Sequence, residues 1–545
     1  MTLNGKWERA LAVAGGLPDP VQADFCRGYA ALGRRRWDRA KTFFEASGAK
    51  AEGSARGRAA FYKAVAELFR QNLPALPPAQ IHLLGLGVDP PYTATAESLR
   101  TIASCEVIFN NVPGAEMSEL LMLFCRDYRP LAYHQLYDEG PLTDSMLAEV
   151  ARGRRTAFVT RGNAIFYGPL GAEILRRCRR DGISWNCAAA VSSAEFLSAK
   201  FGRAGGQSRA GLVLDSSRLR PGTPAESSAA LTVYVDVRAK RRRYREACRE
   251  LARNWGPRRE CLVLDHHIHQ EPLRRPISEL PALWDGLGTA TIFFLPGSGA
   301  PPPARPEGSG ELLLLGLGAW PERHATLQTL LAAAEADEIY ACGLTLKEEG
   351  MVFGFLDKKT KLKRMRGNGI KEKKDILAAV AKGRRPALLT PGQPLAWSRQ
   401  AEGLARELSR RGLAWRALGA VSSCAAALSE TGMTLGLDPL GAQNFAVEEA
   451  AKKFPVLNAD WPLVLHCLGP VSAARLSALG RRLEKVYPRD KGIDLWLPGA
   501  RPVPRKVPNW ESLPALPAGS ILLYRPVRAA RRRPLEPEEI KRARH

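Results

Sequence analysis

The stretch IHLLGLGVDPPYTATAESLRTIASCEVIF, residues 81–109, sets the architecture. An apolar run ends in Gly85-Leu86-Gly87, a turn carrying Pro90 and Pro91 follows, a helical period begins after Thr95, and a second apolar run closes at Phe109. That is the order strand, turn, helix, strand. The stretch occurs twice. Residues 312–340, LLLLGLGAWPERHATLQTLLAAAEADEIY, repeat it without a gap, so that Gly85 falls on Gly316, Gly87 on Gly318, Pro90 on Pro321 and Thr95 on Thr326. A second block, Gly153–Gly202, is echoed by Gly383–Gly432 at a spacing one residue shorter. There GRRTAFVTRGN matches GRRPALLTPGQ, Trp185 matches Trp415, and Ala190-Val191-Ser192-Ser193 matches Ala420-Val421-Ser422-Ser423. Two blocks repeating in step read as a tandem duplication, and so long a period means two whole domains rather than solenoid repeats.

Around this repeat the chain divides readily. Residues 1–79 read as helices, with Tyr29, Leu32, Trp37, Ala40 and Phe44 at helical spacing and Phe61, Val65, Leu68 and Phe69 continuing in a later helix. The run GYAALGRRRWDRAKTFFEAS looks like a tetratricopeptide helix pair, which is read here as a small cap or docking module. Its proline-rich end, LPALPPAQ, is a linker. Residues 80–296 alternate strand and helix, as in an α/β domain with a mainly parallel sheet. A Gly/Pro/Ser-rich linker spans 297–311, the second copy runs over 312–527, and a charged tail occupies 528–545. The fold class is therefore α/β, two tandem domains behind a helical module.

Composition narrows the setting. The 545 residues are 45% hydrophobic, enough for ordinary buried cores. No apolar run approaches the roughly 20 residues of a membrane helix, and the N-terminus lacks the pattern of a signal peptide. Ten scattered cysteines without a CxxC point to reduced thiols and a cytoplasmic setting. The net charge of +25 permits an anionic partner such as RNA. Its basic residues cluster at 238–245, 358–366, 371–374 and in the tail. A solvated basic face is the competing reading.

The Gly85-Leu86-Gly87 turn is not a dinucleotide fingerprint. Prolines follow where a third glycine is needed, and the second strand ends in Asn110 and Asn111 rather than an acid. The two glycines are read instead as letting a ligand edge approach the backbone. Thr160-Arg161-Gly162-Asn163-Ala164-Ile165-Phe166-Tyr167-Gly168 follows the strand TAFVT and precedes a helix. It therefore lies at the carboxyl edge of the sheet, where open α/β folds bind ligands. Ala190–Ser193 closes the next strand at the same edge.

The order of GLG before a helix, TRGNAIFYG before a helix, AVSS opening another and LTVYV in a later strand resembles the tetrapyrrole methylase superfamily. These are class III methyltransferases that use S-adenosylmethionine on corrin precursors, diphthine, ribosomal RNA or peptide amides. The resemblance implies that Gly85, Leu86, Gly87 and the Asp89-Pro90 turn border the methionine part of the cofactor. It also implies that Asn110 and Asn111 lie at the same edge, that residues Thr160, Arg161, Gly162, Asn163, Phe166 and Tyr167 wrap the cofactor, and that Ser192, Ser193, Tyr234, Val235 and His267 line ribose and adenine. Asp89 and Tyr133 are the candidate catalytic groups. The family pattern has Gly-Asp-Pro in the first turn, whereas this chain has Val88-Asp89-Pro90-Pro91. Its later loop has Asn163-Ala164 where the family has Asp-Pro. The second copy departs further, with Ala319-Trp320 and Pro391-Gly392-Gln393.

His266-His267-Ile268-His269 is not read as a metal site, because successive strand residues point to opposite faces and no further ligand stands at metal spacing. The expectation is thus a methyltransferase whose first copy binds S-adenosylmethionine and whose second copy is an internal pseudo-dimer partner. Its acceptor is a small molecule, a peptide or RNA. The rival is a non-catalytic scaffold of the same fold that uses its basic surface to hold RNA or an acidic protein.

Overall fold

The computed structural model describes residues 11–525 except 72, 126, 133–134, 136–138, 167, 202–211, 216–230, 236–240, 265–271, 288–290, 297–302, 304–308, 357–359, 366–368, 396–397, 434–440, 453–461, 468, 488–491, 498–504 and 518. The candidate residues Tyr133, Tyr167 and His267 lie outside the described residues. So do the His266–His269 run, most of the proposed linker and the basic tail. None of the described helices is long and apolar enough to cross a membrane.

Strands β1 (Ile81–Gly85), β2 (Val107–Asn110), β3 (Asp127–Pro130), β4 (Thr156–Thr160) and β5 (Trp185–Ala188) form an all-parallel sheet in the order β3-β2-β4-β1-β5. β1 is buried along its whole length, as expected of a parallel strand covered on both faces. The next five strands are β6 (Leu212–Asp215), β7 (Leu231–Tyr234), β8 (Glu260–Leu264), β9 (Leu273–Pro276) and β10 (Ile292–Leu295). They are followed by β11 (Glu311–Gly316), β12 (Glu338–Ala341), β13 (Lys361–Arg364), β14 (Pro386–Thr390) and β15 (Ala414–Ala417), a second parallel sheet in the order β13-β12-β14-β11-β15. The two parallel sheets have the same strand order. β16 (Gly441–Ala446), β17 (Leu463–His466), β18 (Ile493–Trp496), β19 (Arg505–Val507) and β20 (Ile521–Tyr524) complete the set.

The third sheet is the part the alternating pattern does not show. It has ten strands, in the order β19-β18-β20-β17-β16-β6-β7-β10-β8-β9, and is mixed rather than parallel. Five of its strands come from each half of the chain. The halves join where β16 runs antiparallel to β6, Gly441 opposite Leu214 and Ala442 opposite Val213. Strands related by a two-fold axis pair antiparallel, and the rest of the junction follows the same rule. Thr95 bridges its own repeat mate Thr326. On either side of that bridge, Ala96 N donates to Ala325 O (2.9 Å) and Leu327 N to Ala94 O (3.2 Å).

The helices obey local chemistry. Thr95 and Thr326 cap helices Ala96–Ile102 and Leu327–Ala334 through their side-chain oxygens. Pro169 opens helix Pro169–Asp181, and the left-handed Gly182 ends it. Helix Ser193–Phe201 packs on β15 of the other half, and helix Ser423–Thr431 packs on β5. Arg179 closes the far end of the latter, donating to Thr431 O (3.0 Å) and Gly432 O (2.7 Å).

The N-terminal helices Pro20–Gly33, Trp37–Lys50 and Gly53–Arg70 form a compact layer. Gly28 lets the first two approach, since a Cβ there would stand 2.8 Å from the Phe44 ring. Leu32, Phe44, Phe61, Val65 and Leu68 share one continuous apolar core with Leu84, Leu86 and Leu99 of the first parallel unit and with Leu327 of the second.

Candidate functional site

Four loops leave the carboxyl edge of the first parallel sheet: Leu86–Thr95 after β1, Asn111–Gly114 after β2, Arg161–Gly168 after β4 and Ala189–Ser192 after β5. The first and third are tied together. Leu86 N donates to Thr160 O (3.0 Å), Gly87 N to Gly162 O (3.1 Å) and Gly162 N to Gly87 O (2.7 Å). Arg161 Nε adds a hydrogen bond to Val88 O (2.8 Å). Within the first loop, Thr93 Oγ1 accepts from Asp89 N (2.8 Å) and donates to Leu86 O (3.2 Å).

This lattice accounts for the glycines of the turn. A Cβ on Gly85 would collide with Gly162 O and come within 2.6 Å of Ala190 Cβ, and one on Gly87 would collide with Thr93. The close approach at Gly85 and Gly87 is thus made by the chain itself. Gly162 is different. Its φ is +72° and nothing stands within 4 Å of the position a Cβ would take. It presents backbone to open space beside Arg161, whose guanidinium lies in the field of the half-exposed Asp89 and whose ordinary pKa is lowered by burial.

The other expected contacts are placed as follows. Asn110 is buried at the end of β2, donating to Val112 O (2.9 Å) and Tyr128 OH (3.0 Å) and accepting from Val112 N (3.0 Å). Asn111 follows it, its N–H held by Val159 O (2.9 Å). Asn163 is buried and clamps the third loop to the fourth through Ala190 O (3.1 Å). Pro90 is half-buried in the first loop. Ser193 Oγ meets the Tyr234 hydroxyl, which joins the first sheet edge to β7, and burial pushes that phenol well up from its ordinary value. Val235, also buried, donates to Thr291 O (3.0 Å). Phe166 packs with Phe196, Val191 and, from the other half, Ala319, Trp320 and Val421.

Two buried groups here are absent from the expected set. Glu195 accepts from Ser192 N (2.7 Å) at its own helix start and from Ser422 N (2.6 Å) at the matching helix start of the second half. Its signal was present in the sequence, because Ser192-Ser193-Ala194-Glu195 has the spacing of a capping box. Glu97 accepts from Arg323 Nε (2.9 Å) and Nη2 (2.5 Å), and Arg323 Nη1 also reaches Glu430 (2.7 Å). No local pattern announces that pairing, since its partners are far apart in the chain.

An α/β unit with open loops gathered at the carboxyl edge of a parallel sheet is a ligand-binding architecture. Which one it is follows from comparison with known proteins. Residues 80–266 match the family of Tetrapyrrole (Corrin/Porphyrin) Methylases, the family that the motifs resemble. Members of that family are S-adenosylmethionine-dependent methyltransferases.

Solved structures similar to this chain include uroporphyrin-III-C-methyltransferase from Thermus thermophilus, at 19% identity over 40% of this chain and 94% of that one, TM-score 0.31. They also include the methyltransferase CobJ, at 14% identity over 42% and 97%, TM-score 0.31. A third is the cobalt precorrin-4 methyltransferase CbiF, at 13% identity over 41% and 98%, TM-score 0.32. No curated protein matches the chain.

Proposed function

We propose that this protein is an S-adenosylmethionine-dependent methyltransferase whose first unit binds the cofactor and carries the chemistry, with the second unit as its built-in partner. The observation that carries the reading is Gly162. Inside the family-matched segment, it is the glycine of the first loop pair that offers open space where a side chain would stand. A bound S-adenosylmethionine would lie against the Arg161–Asn163 backbone between Asp89 and Phe166, and it would supply an activated methyl group on a sulfonium.

The chain's own residues do the rest. The paired loops hold the cleft rigid, so little ordering is needed on binding. Phe166 and its apolar neighbours would exclude water, and the Asp89 carboxylate would take the proton an acceptor releases. The second unit has Trp320 where the first has Asp89, and Trp320 packs into the apolar cluster between the units. It has Gln393 where the first has Asn163, and this side chain reaches across to Glu195 O (2.9 Å). Both departures support a supporting rather than a catalytic role.

Calorimetry with S-adenosylhomocysteine tests this. Gly162→Trp and Gly392→Trp are matched perturbations, both at positive φ with nothing within 4 Å. The expected result is one site per chain, lost with Gly162→Trp and kept with Gly392→Trp. The opposite pattern would move the site to the second unit.

A further inference from the structure

The first loop of the cleft is held from outside as well as from within. Phe61, on the third N-terminal helix and 4% exposed, meets the ring of Tyr92 edge-on at 5.3 Å between centroids. Phe61 is in turn packed edge-on against Tyr62 (5.1 Å), which belongs to an aromatic cluster with Phe25, Tyr29 and Phe44. On its other side Tyr92 is fixed by the second unit, whose Gln328 N donates to Tyr92 O (2.7 Å). The helix that carries Phe61 also packs on helix Leu327–Ala334, which carries Gln328. Beyond it, Gln71 Nε2 donates to Met351 O (2.9 Å). The helix that carries Phe61 therefore touches both the loop and the helix of the second unit that holds Tyr92.

We infer that the N-terminal helices are a positioning element for the cleft. Through Phe61 and Tyr92 they fix the Leu86–Thr93 loop, which carries Asp89, against the second unit. The inference rests on the reading of that loop as the cleft wall. It gives the module read from the sequence as a small cap or docking module a part in shaping the cleft. Tyr92 is the coupling residue. It lies three positions from Asp89 and one from Thr93, and Thr93 is fully buried and holds the Asp89 amide. Loss of the Phe61 ring removes the only ring contact described for Tyr92, and the loop that carries Tyr92 loses that support.

Hydrogen exchange on the full chain, without ligand, reads this directly. The reporters are the Asp89 amide, held by Thr93 Oγ1, and the Thr93 amide, held by Asp89 O (3.0 Å). The Leu317 amide, held by Thr390 O (2.9 Å) in the second unit, is the internal reference. Phe61→Ala and Tyr92→Ala should speed exchange at both reporters about tenfold, the scale of one lost aromatic pair, and leave Leu317 unchanged. Tyr92→Phe keeps the ring and should match the parent. Phe44→Ala removes a ring of the same aromatic cluster that does not touch Tyr92, and it should loosen the reporters less than Phe61→Ala does.

In the same variants the Kd for S-adenosylhomocysteine should rise about tenfold with the loosened loop. If Phe61→Ala does not fold, Tyr92→Ala alone decides. Unchanged protection of Asp89 and Thr93 in Tyr92→Ala would overturn the inference, as would equal loosening by Phe44→Ala. Loosening in a protein that binds no S-adenosylhomocysteine would leave the positioning intact and defeat the cofactor reading.

Discussion

Replacing Arg323 by alanine should be among the most damaging single substitutions in this chain. Arg323 is 8% exposed, and its guanidinium makes two hydrogen bonds to Glu97, which is 0% exposed, and a third to Glu430. Without it, Glu97 keeps a hydrogen bond from Asn186 Nδ2 (3.2 Å) but no buried cation, since His324 beside it is held neutral by burial. Breaking a buried pair by removing one partner costs about 3–5 kcal/mol, because the remaining charge stays desolvated. Without Arg323 to oppose the rise, the Glu430 carboxyl is pushed up further and takes a proton, so the cost is set by one stranded carboxylate, Glu97. Replacing the whole set with neutral groups of similar shape should recover most of the loss, since a buried ion pair against such a replacement is close to neutral. The assay is urea unfolding of the parent, Arg323→Ala, and the triple variant Arg323→Met, Glu97→Gln, Glu430→Gln. A cost below about 1 kcal/mol for the single variant, or a triple variant no more stable than the single, would refute the argument that these charges lock the two halves.

Glu430 makes the same junction sensitive to pH. Burial pushes its carboxyl up to about 7, with Arg323 opposing the rise and Glu97 adding to it. A carboxyl raised on folding contributes stability that is complete below its unfolded value, near 4.5, and is lost as pH rises through about 7. Parent stability should therefore fall relative to Glu430→Gln between about pH 5 and pH 8, as thermal unfolding across that range would show. At the loops, Gly87→Ala should disrupt the first turn, because the new methyl meets Thr93. Gly162→Ala should cost only the left-handed backbone penalty of about 1–2 kcal/mol, and parallel urea titrations separate the two. If the basic surface binds RNA, affinity for a labelled single strand should drop roughly a thousandfold between about 50 and 200 mM salt for about six phosphate contacts. Flat salt dependence would identify the charge as a solvated face.

The parallel sheets were legible because IHLLG and ELLLLG are mostly apolar runs, buried along their length and closed by glycine. The helical spacing of Leu32, Ala40 and Phe44 was equally plain, since each buries one face. What those helices lie against was not, because an apolar stripe fixes a face and not its partner. The same limit explains Gly85 and Gly87. A glycine pair signals that something comes close, and only the register of Gly87 on Gly162 shows that it is the neighbouring loop. The ten-stranded sheet left no trace in the pattern. Its central pairing joins two short strands, LVLD and GAQNFA, which lie more than two hundred residues apart and whose contact depends on the whole junction.

That junction also shows what joining two halves in one chain permits. A symmetric pair of identical subunits must place every interface residue twice, so a buried carboxylate on the axis would face its own copy at short range, and one of the two would have to stay protonated. Glu195 has no such counterpart. Its repeat mate is Ala425, which is buried, so a single carboxylate takes the first helix N–H of both halves. Glu97 and Arg323 follow the same logic, their mates being Gln328 and Tyr92. Each half therefore carries one member of a complementary pair that it could not supply to a copy of itself. A first half meeting another first half would bury Glu97 without Arg323 and bring two Glu195 side chains together, both costly in the absence of water. In the reading proposed above, this interface would favour the partner within the chain by chemistry as well as by the raised effective concentration of a covalent link.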